Sequence, residues 1–300
     1  MLISVVVPTY NRIDSLFYLL ELLDRQVFIE TEILVIDQNP IGYFLENSFE
    51  KFKNVKVIHL SAPNVALARN IGFLKSSSDY VLFVDDDLEP GADFCFQGIQ
   101  VFDKFKFLDC FVPRIINQKE YLNTDYLGDL NFSPKIENLV LIKDAISACV
   151  FFRKNSFLNY GGFNPFHFDF ARTGEDQEFF LRMQKMGGKL WVYVKMSIFH
   201  NDTVIGGCEL RTQDYWVTRK KCLRGILLRM RLHRTSGNLG LINYLGALRF
   251  LLLNRLIFKM SLRDIILNLH LFFMVIKESG DYIKQVGWDN ISKNNFLETK

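Results

Sequence analysis

Three adjacent aspartates follow an apolar run in the stretch YVLFVDDDLEP, which spans residues 80 to 90. Adjacent carboxylates repel one another, and ionised carboxylates are costly to remove from water unless they are paired or bound to a metal. Asp85, Asp86 and Asp87 are therefore candidates for holding a cation at the end of a buried strand. A solvated acidic turn is the alternative, because Asp is common in turns and helix caps.

The first hundred residues alternate between strand and helix patterns. The predicted strands are Leu2 to Pro8, Glu32 to Asp37, Val55 to Leu60 and Tyr80 to Val84, and the predicted helices are Leu16 to Val27, Ile41 to Phe52 and Asn64 to Lys75. This alternation indicates βαβ units and an α/β fold with a mainly parallel central sheet flanked by helices. Ligands bind such sheets beyond the carboxyl ends of the strands. We therefore expect Pro8 to Asn11, Asp37 and the three aspartates to share one crevice.

The middle of the chain is less regular. It predicts a helix at Gly91 to Phe105, strands at Cys110 to Ile116 and Ala145 to Phe152, and a helix at Glu175 to Met186. Asn117 to Asn138, which follows the strand at Cys110 to Ile116, is polar and predicts a long loop near the site. We expect this loop to influence substrate specificity.

Composition narrows the class of protein. The chain has 300 residues, 49% of them hydrophobic, which is enough for a large core in one or two domains. Its five cysteines are an odd number without a CxxC pair, so neither a disulfide framework nor a structural zinc site is expected. The first residues lack the pattern of a signal peptide, and a reducing cytoplasm fits best.

Positive charge is concentrated near the C-terminus. Cys208 to Thr235 holds eight Lys or Arg against two acidic residues, a balance of +6, although the net charge of the chain is only +3. Long helical patterns follow, at Leu210 to Arg234, Leu239 to Phe258 and Leu262 to Lys277. The longest uncharged apolar stretch, Ile265 to Ile276, is shorter than the about 20 residues that cross a bilayer, so no transmembrane helix is expected.

The basic helices leave two interpretations open. Residues 208–277 could lie on an anionic membrane surface as amphipathic helices. They could equally pack against the core or against a second copy of the chain in a homo-oligomer.

Five stretches in order resemble motifs of the family 2 glycosyltransferases, which are inverting enzymes with the GT-A fold. They are SVVVPTYNR near the start, VID at 35–37, PNVALARNIGF at 63–73, FVDDD at 83–87, and GGF followed by GEDQEFFLRM at 174–183. The resemblance covers residue 3 to about residue 202. It implies a GT-A catalytic domain at 1–205, with a nucleotide-binding half at 1–115 and an acceptor half at 116–205, before a basic amphipathic helical extension at 206–300.

The resemblance also implies a substrate class and a cofactor. The donor would be a UDP- or dTDP-sugar, the acceptor a glycan or a lipid-linked glycan, and the cofactor Mn²⁺ or Mg²⁺, which would neutralise the departing diphosphate. Asp87 would be the direct metal ligand, Asp85 would contact the ribose or the metal, and Asp86 would support the donor sugar. His200 is a candidate third ligand, with a purely structural histidine as the alternative.

The nucleoside would lie against the first two strands. By the resemblance, Asp37 accepts hydrogen bonds from the nucleobase. However, Gln38, Asn39 and Pro40 replace the acidic-glycine-serine continuation common in the family, which leaves uracil or thymine open. The pocket around the nucleoside would be shaped by Pro8, Thr9, Tyr10 and Asn11.

Two further groups complete the candidate site. Arg69 would pair with the aspartates or the diphosphate, although an ordinary surface cation on a helix is the alternative. Asp176 would be the general base that takes the proton of the acceptor hydroxyl, with a near-normal pKa, and Glu175 would lie beside it on the acceptor side. The alternative is that both acids merely favour a helix start.

Other functions remain open at this point. A nucleotidyltransferase also uses a parallel sheet and carboxylate-bound Mg²⁺, but PTYNR lacks the glycine-rich phosphate loop that such enzymes place after the first strand. A non-catalytic nucleotide-sugar binding module would share the fold. No GxGxxG follows the first strand, which argues against a dinucleotide-binding fold, and no nucleic-acid partner is expected. The expected location is the cytoplasm, with peripheral contact to the inner face of the membrane.

Overall fold

A computed structural model describes residues 2–45, 47–116, 135–142, 144–166, 174–201 and 269–278, together with positions 207, 217, 220, 224, 296 and 297. The described strands are β1 (Leu2–Thr9), β2 (Glu30–Asp37), β3 (Val55–His59), β4 (Tyr80–Val84), β5 (Leu88–Glu89), β6 (Cys110–Ile116), β7 (Lys135–Ile136), β8 (Leu139–Ile142), β9 (Cys149–Arg153) and β10 (Leu190–His200). The helices with both ends described are α1 (Ile13–Asp24), α2 (Val65–Lys75), α3 (Phe94–Lys104), α4 (Lys154–Asn159) and α5 (Glu175–Lys185).

The first half of the sheet is parallel. Strands β3, β2, β1 and β4 lie side by side in that order. β1 and β2 are buried along almost their whole length, as expected for apolar strands that are covered on both faces. The register pairs Thr9 with Asp37 and Asp37 with His59, so three polar residues lie in a row at the carboxyl edge. β4 ends at Val84, immediately before the three aspartates.

The second half of the sheet is mixed. Strand β9 runs antiparallel between β4 and β6, and the long β10 pairs parallel with β6 and antiparallel with β8 and β5. The register places Cys149 beside Val84, and the backbone N–H of Asp85 donates to the carbonyl of Ala148 at 2.8 Å. The strand predicted from Ala145 therefore starts only at Cys149, because the segment before it passes beyond the end of its partner strand.

Helices cover both faces of the sheet. The leucines of α1 pack with the apolar side of α3 on one face, and α2, α4 and α5 cover the other. Many of the 29 phenylalanines lie in this second layer, where edge-to-face and tilted ring contacts join Phe83, Phe157, Phe163 and Phe179. Each fully buried ring contributes about 1.5–3 kcal/mol through apolar burial. This core fixes α2 and α5, which supply Arg69 and the acidic pair at residues 175–176.

The helix predicted for Ile41 to Phe52 is wrong, because this segment forms turns. Pro40 precedes it, and Gly42 adopts a left-handed backbone conformation with φ of 83°, which interrupts a right-handed helix. Ile41 is 90% exposed, whereas Phe44 and other aromatic rings of the segment pack on Phe17 of α1. The apolar pattern that resembled a helical stripe is therefore a set of separate anchors for an irregular loop.

Little of the C-terminal part lies within the described residues. The predicted helices at 210–234 and 239–258 fall outside them apart from single positions, as does the loop predicted at 117–138 up to residue 134. The end of that predicted loop contains the short strand β7. Residues 269–278 are helical, as predicted for most of this stretch, and no described helix is long and apolar enough to cross a membrane. Glu278 accepts hydrogen bonds from Lys220 and Arg224 at 2.8 and 2.5 Å. The boundary near residue 205 stays a prediction.

Two described positions near the C-terminus, Phe296 and Leu297, contact the turn that follows α4. The backbone N–H of Phe296 donates to the carbonyl of Gly161 at 2.7 Å, and the side chain of Leu297 is buried against Gly162. Gly162 has a positive φ, and a Cβ there would lie 2.7 Å from the Leu297 side chain. The GGF turn therefore requires glycine for conformation and for close packing.

Candidate active site

The three aspartates do not form a solvated turn. Asp86 and Asp87 are only 3% and 5% exposed, whereas the Asp85 side chain is 28% exposed. Each carboxylate meets a positively charged or hydroxyl side chain from another element. Burial with partners is the arrangement expected of functional carboxylates rather than of an acidic surface loop.

Asp85 is joined to the acidic start of α5 through Arg69. One guanidinium nitrogen of Arg69 donates to Asp85 at 2.7 Å, and another lies 3.3 Å from Glu175. Arg69 is buried beneath them, and its Nε has no hydrogen-bond partner among the described residues. The surface-cation alternative for Arg69 is therefore wrong. The pairing predicted with the aspartates is confirmed by these distances.

Asp86 and Asp87 share the guanidinium of Arg12, which lies just before α1. Its Nη1 is 2.9 Å from Asp86 Oδ1 and 2.8 Å from Asp87 Oδ2. Thr9 at the end of β1 also donates to Asp86, at 2.7 Å. Arg12 belongs to the quoted PTYNR stretch, but the sequence analysis gave it no role, because a contact across 74 residues leaves no local pattern.

Asp87 also meets His200 at the end of β10. The Nε2 of His200 lies 3.3 Å from Asp87 Oδ1, a buried oxygen without a well-formed hydrogen bond among the described residues. Such an oxygen beside an imidazole fits a divalent cation, because Mg²⁺ and Mn²⁺ accept few protein ligands when phosphates and waters supply the rest. Among the described residues no group of three or more His, Cys, Asp or Glu is placed to hold a metal ion by itself. Asp85 contacts Arg69 instead, so its part in binding a metal stays a prediction.

Asp176 lies in the first turn of α5 and is held by backbone groups. Its two oxygens accept hydrogen bonds from the N–H groups of Gln177 at 2.7 Å and Ser147 at 3.3 Å. Ser147 precedes β9, whose pairing with β4 brings this segment beside Asp85. The small residues at 147–149 thus allow the close approach that their sizes indicated, and α5 and β4 meet at one site.

Burial changes the acidity of these groups. It raises the pKa of Glu175 to about 7, and the neighbouring Asp176 carboxylate adds to this rise against the effect of Arg69. Burial also raises the pKa of Asp176, although its backbone hydrogen bonds oppose the rise. The pKa of Asp176 is therefore raised, whereas the sequence analysis predicts a near-normal value. Two neighbouring buried carboxylates do not both ionise readily, so one of them tends to keep its proton.

Burial affects the pKa values of Asp86 and Asp87 differently. Burial raises the pKa of Asp86 to about 7, because the loss of solvation outweighs Arg12. Burial acts in the same direction on Asp87, but the close contact with His200 and the charge of Arg12 outweigh it and lower the pKa of Asp87. Asp87 is thus the acid that stays ionised and suits a cation.

Asp37 and its neighbours form the other end of the crevice. Asp37 Oδ1 accepts hydrogen bonds from the backbone N and Nδ2 of Asn39, at 2.9 and 2.6 Å. Asp37 Oδ2 lies 3.5 Å from Nδ1 of His59 on β3. The backbone N–H of Asn11 donates to Asn39 Oδ1 at 2.7 Å. Neither Asn39 nor His59 was singled out for a role, because their importance depends on strand register and turn geometry.

The stretch Pro8 to Asn11 lies where the sequence predicted. Pro8 pairs with Ile36 in the register, Thr9 pairs with Asp37, and the carbonyl of Tyr10 accepts from the N–H of Gly207 at 2.8 Å. Asn11 adopts a left-handed conformation with φ of 55°, which turns the chain away from the strand end. The predicted convergence of this stretch, Asp37 and the aspartates on one sheet edge is confirmed.

Comparison with known proteins agrees with this geometry. The family model described as "Glycosyl transferase family 2" matches residues 4–161, just over half of the chain. The chain therefore belongs to glycosyltransferase family 2.

Relatives and solved structures resemble different portions of the chain. An uncharacterized glycosyltransferase of Rickettsia bellii is 32% identical over 145 residues, covering 45% of this chain and 20% of the relative. YwdF of Bacillus subtilis, also an uncharacterized glycosyltransferase, is 35% identical over 29% of this chain and 33% of its own length. The chain thus aligns with a third or less of these relatives. The crystal structure of S. aureus TarS 1–349 superposes with a TM-score of 0.57 at 17% identity, covering 99% of this chain and 89% of TarS 1–349, which confirms the GT-A fold.

Proposed function

We propose that the protein is a metal-dependent, inverting glycosyltransferase that moves a sugar from a UDP- or dTDP-sugar to a glycan or lipid-linked acceptor. The observation that supports this most is the chain of contacts from Asp85 through Arg69 to Glu175. It joins the acids at the end of β4 to the acids at the start of α5. Donor binding and proton removal can therefore occur within one crevice.

The donor would lie along the carboxyl edge of the parallel strands. Asp37 would meet the nucleobase, Asp85 the ribose, and Asp86 the sugar. TarS 1–349 has been solved in complex with UDP and with UDP-GlcNAc, at TM-scores of 0.56 and 0.54 to this chain. Those complexes support a nucleotide-sugar as the donor class here.

Asp87 and His200 would hold the divalent cation together with the diphosphate oxygens. When bound, Mn²⁺ or Mg²⁺ would supply Lewis-acid neutralisation of the charge that builds on the departing nucleoside diphosphate. The lowered pKa of Asp87 keeps this carboxylate ionised at neutral pH. Arg12, beside the same carboxylates, would supply further positive charge toward the diphosphate.

Asp176 would act as the general base. It would take the proton of the acceptor hydroxyl as that oxygen forms a bond to the anomeric carbon. The bond from the anomeric carbon to the diphosphate oxygen breaks on the opposite face, and the nucleoside diphosphate leaves with the bonding electrons. A raised pKa makes the ionised carboxylate a stronger base, and such groups typically contribute a factor of about 10² to 10⁴.

The decisive experiment incubates the full chain with UDP-, dTDP- and GDP-sugars in Mn²⁺ and measures nucleoside diphosphate release and product configuration. We expect release from a UDP- or dTDP-sugar, an inverted product, and loss of activity in excess EDTA or in Asp87→Ala. Asp103→Ala is the matched control, since Asp103 is a half-exposed residue of α3 paired with Lys106. Full activity in EDTA or in Asp87→Ala would contradict the metal role, and pyrophosphate release would instead support a nucleotidyltransferase.

Peripheral membrane contact through residues 208–277, at the inner face of the cytoplasmic membrane, is a second part of the proposal. Two of the basic residues there, Lys220 and Arg224, pair with Glu278, so part of the positive charge is balanced within the protein. Sedimentation with vesicles of anionic and of neutral lipid tests this part. Equal or absent binding to both would contradict it and would favour packing against the core or a second subunit.

A further inference from the structure

The two oxygens of Asp37 have different surroundings. Oδ1 receives two hydrogen bonds from Asn39, one from its backbone N–H and one from its side-chain Nδ2. Oδ2 receives neither and lies 3.5 Å from Nδ1 of His59, whose side chain is about one-third exposed. Both Asp37 and Asn39 are buried at the carboxyl edge of the sheet.

The side chain of Asn39 is fixed at both ends. Its Nδ2 donates to Asp37, and its Oδ1 accepts from the backbone N–H of Asn11. If the side-chain amide of Asn39 were rotated by 180°, its oxygen would face Asp37 Oδ1 and its NH₂ group would face the backbone N–H of Asn11. Both hydrogen bonds would then be lost. Leaving either buried group without a partner is costly, so Asn39 stays on Oδ1 of Asp37.

Saturation of Oδ1 limits what Asp37 can recognise. A carboxylate oxygen accepts about two hydrogen bonds, so Oδ1 is filled and Oδ2 is the oxygen left for a ligand. Guanine presents two adjacent donors, N1–H and the exocyclic amino group, which match a carboxylate with both oxygens available. Uracil and thymine present a single N3–H between two carbonyl oxygens. Oδ2 of Asp37 can accept that N3–H, and the imidazole of His59 beside it can donate to one of the flanking carbonyls. This arrangement matches uracil and thymine.

We propose that Asn39 determines nucleobase specificity by occupying Oδ1 of Asp37, and that His59 supplies the matching donor, so that the site accepts uracil or thymine and rejects guanine. This inference rests on the proposed function, because it assumes that the crevice binds a nucleotide-sugar. It adds the residues that select the base at the point where residues 38–40 depart from the usual family sequence.

The test measures the dissociation constants of UDP, dTDP and GDP for the full chain in Mg²⁺ by isothermal titration calorimetry. We expect the wild-type protein to bind UDP and dTDP at least about tenfold more tightly than GDP, since an unaccepted donor on the ligand is left unpaired. Asn39→Ala should reduce the ratio of GDP to UDP dissociation constants by about three- to tenfold, because it removes one of the two donors on Oδ1. The ratio cancels changes in diphosphate binding, which both ligands share.

A neighbouring amide provides the matched control. Gln38 accepts from the backbone N–H of Asn64 at 2.8 Å and donates to the carbonyl of Thr9 at 3.4 Å, and these two bonds join it to groups other than the Asp37 carboxylate. Gln38→Ala should weaken UDP and GDP alike and leave their ratio unchanged. His59→Ala should weaken UDP about three- to tenfold, and His59→Asn, which retains an N–H near the position of Nδ1, should restore part of the loss.

The outcomes separate the two levels of the proposal. If the wild-type protein binds none of the three nucleotides, both the proposed function and this inference fail. If it binds UDP and GDP equally, prefers GDP, or keeps its ratio in Asn39→Ala, the proposed function stands and the inference is wrong. If Asn39→Ala does not fold, the inference is tested by the ratio of GDP to UDP dissociation constants of the wild-type protein and by the UDP affinities of His59→Ala and His59→Asn.

Discussion

The aspartates proposed to face the donor, at 85–87, and the acids proposed to face the acceptor, at 175–176, are stabilised in different ways. Asp86 and Asp87 meet side chains from separate elements, namely Arg12, Thr9 and His200. The pair at 175–176 is held by backbone amides on Asp176 and by the guanidinium of Arg69 on Glu175. The first group is arranged to share positive charge, which a metal can supplement. In the second group, burial and the neighbouring Asp176 raise the pKa of Glu175 to about 7.

The two groups nevertheless depend on one another. Arg69 contacts both, so that the buried Glu175 and the partly exposed Asp85 each lie beside a cation. Burial of these charges without compensation would cost several kcal/mol per ion. The comparison therefore predicts that Arg69 is required for folding, whereas Arg12 has a role that a bound dication can partly replace.

The largest expected effect on stability comes from Arg69→Ala. Truncating one partner of a buried ion pair leaves its acids uncompensated and typically costs about 3–5 kcal/mol. We expect a loss of that size in the free energy of unfolding by urea denaturation. Lys51→Ala is the control, because its exposed pair with Glu21 should contribute at most about 1 kcal/mol. A loss for Arg69→Ala as small as that of the control would show that the two acid groups are not joined.

Arg12→Ala should have a smaller effect that Mn²⁺ offsets. Without Arg12, Asp86 and Asp87 repel each other, so a dication gains affinity for the native state and stabilises it by mass action. In thermal unfolding, Mn²⁺ should raise the Tm of Arg12→Ala by several degrees more than that of the wild-type protein. No comparable rescue is expected for Arg69→Ala. An equal response of all three proteins to Mn²⁺ would contradict the distinction.

The acceptor-side pair should make stability depend on pH. The folded pKa of Glu175, about 7, is raised above its unfolded value, so its contribution is fully present below about pH 4.5 and is lost as pH rises through 7. Relative to Glu175→Gln, the wild-type protein should lose about 1–2 kcal/mol of unfolding free energy between pH 5 and pH 8. Parallel pH profiles for the two proteins would show that Glu175 is not buried as a shared-proton pair.

Much of the donor side could be predicted from the sequence, for a simple physical reason. Parallel strands end at one edge, so polar residues that follow apolar runs converge there, as Asp37 and Asp85 do. Asp176 was assigned through the resemblance of GEDQEFFLRM to a family motif, since a helix start alone would also explain an acid there. These signals are local, and the fold converts them directly into proximity.

The remaining parts could not be predicted because they depend on contacts between distant residues. Arg12 and His59 become relevant only through side chains that meet across strands. The segment 41–52 forms turns although its sequence predicts a helix. Its aromatic residues contact α1 one by one, as Phe44 does with Phe17, and their spacing resembles the apolar face of an amphipathic helix. The raised pKa of Asp176 likewise follows from burial that no linear pattern reveals.

The central claim is that one acid group holds the donor while the other removes the proton. The most direct test measures turnover and the UDP dissociation constant in Mn²⁺ for Asp176→Asn and Asp87→Asn together. Asp176→Asn should lose about 10² to 10⁴ in turnover and keep its UDP affinity within about threefold, whereas Asp87→Asn should weaken UDP at least about tenfold. Wild-type turnover in Asp176→Asn, or a loss of UDP affinity equal to that of Asp87→Asn, would contradict the account.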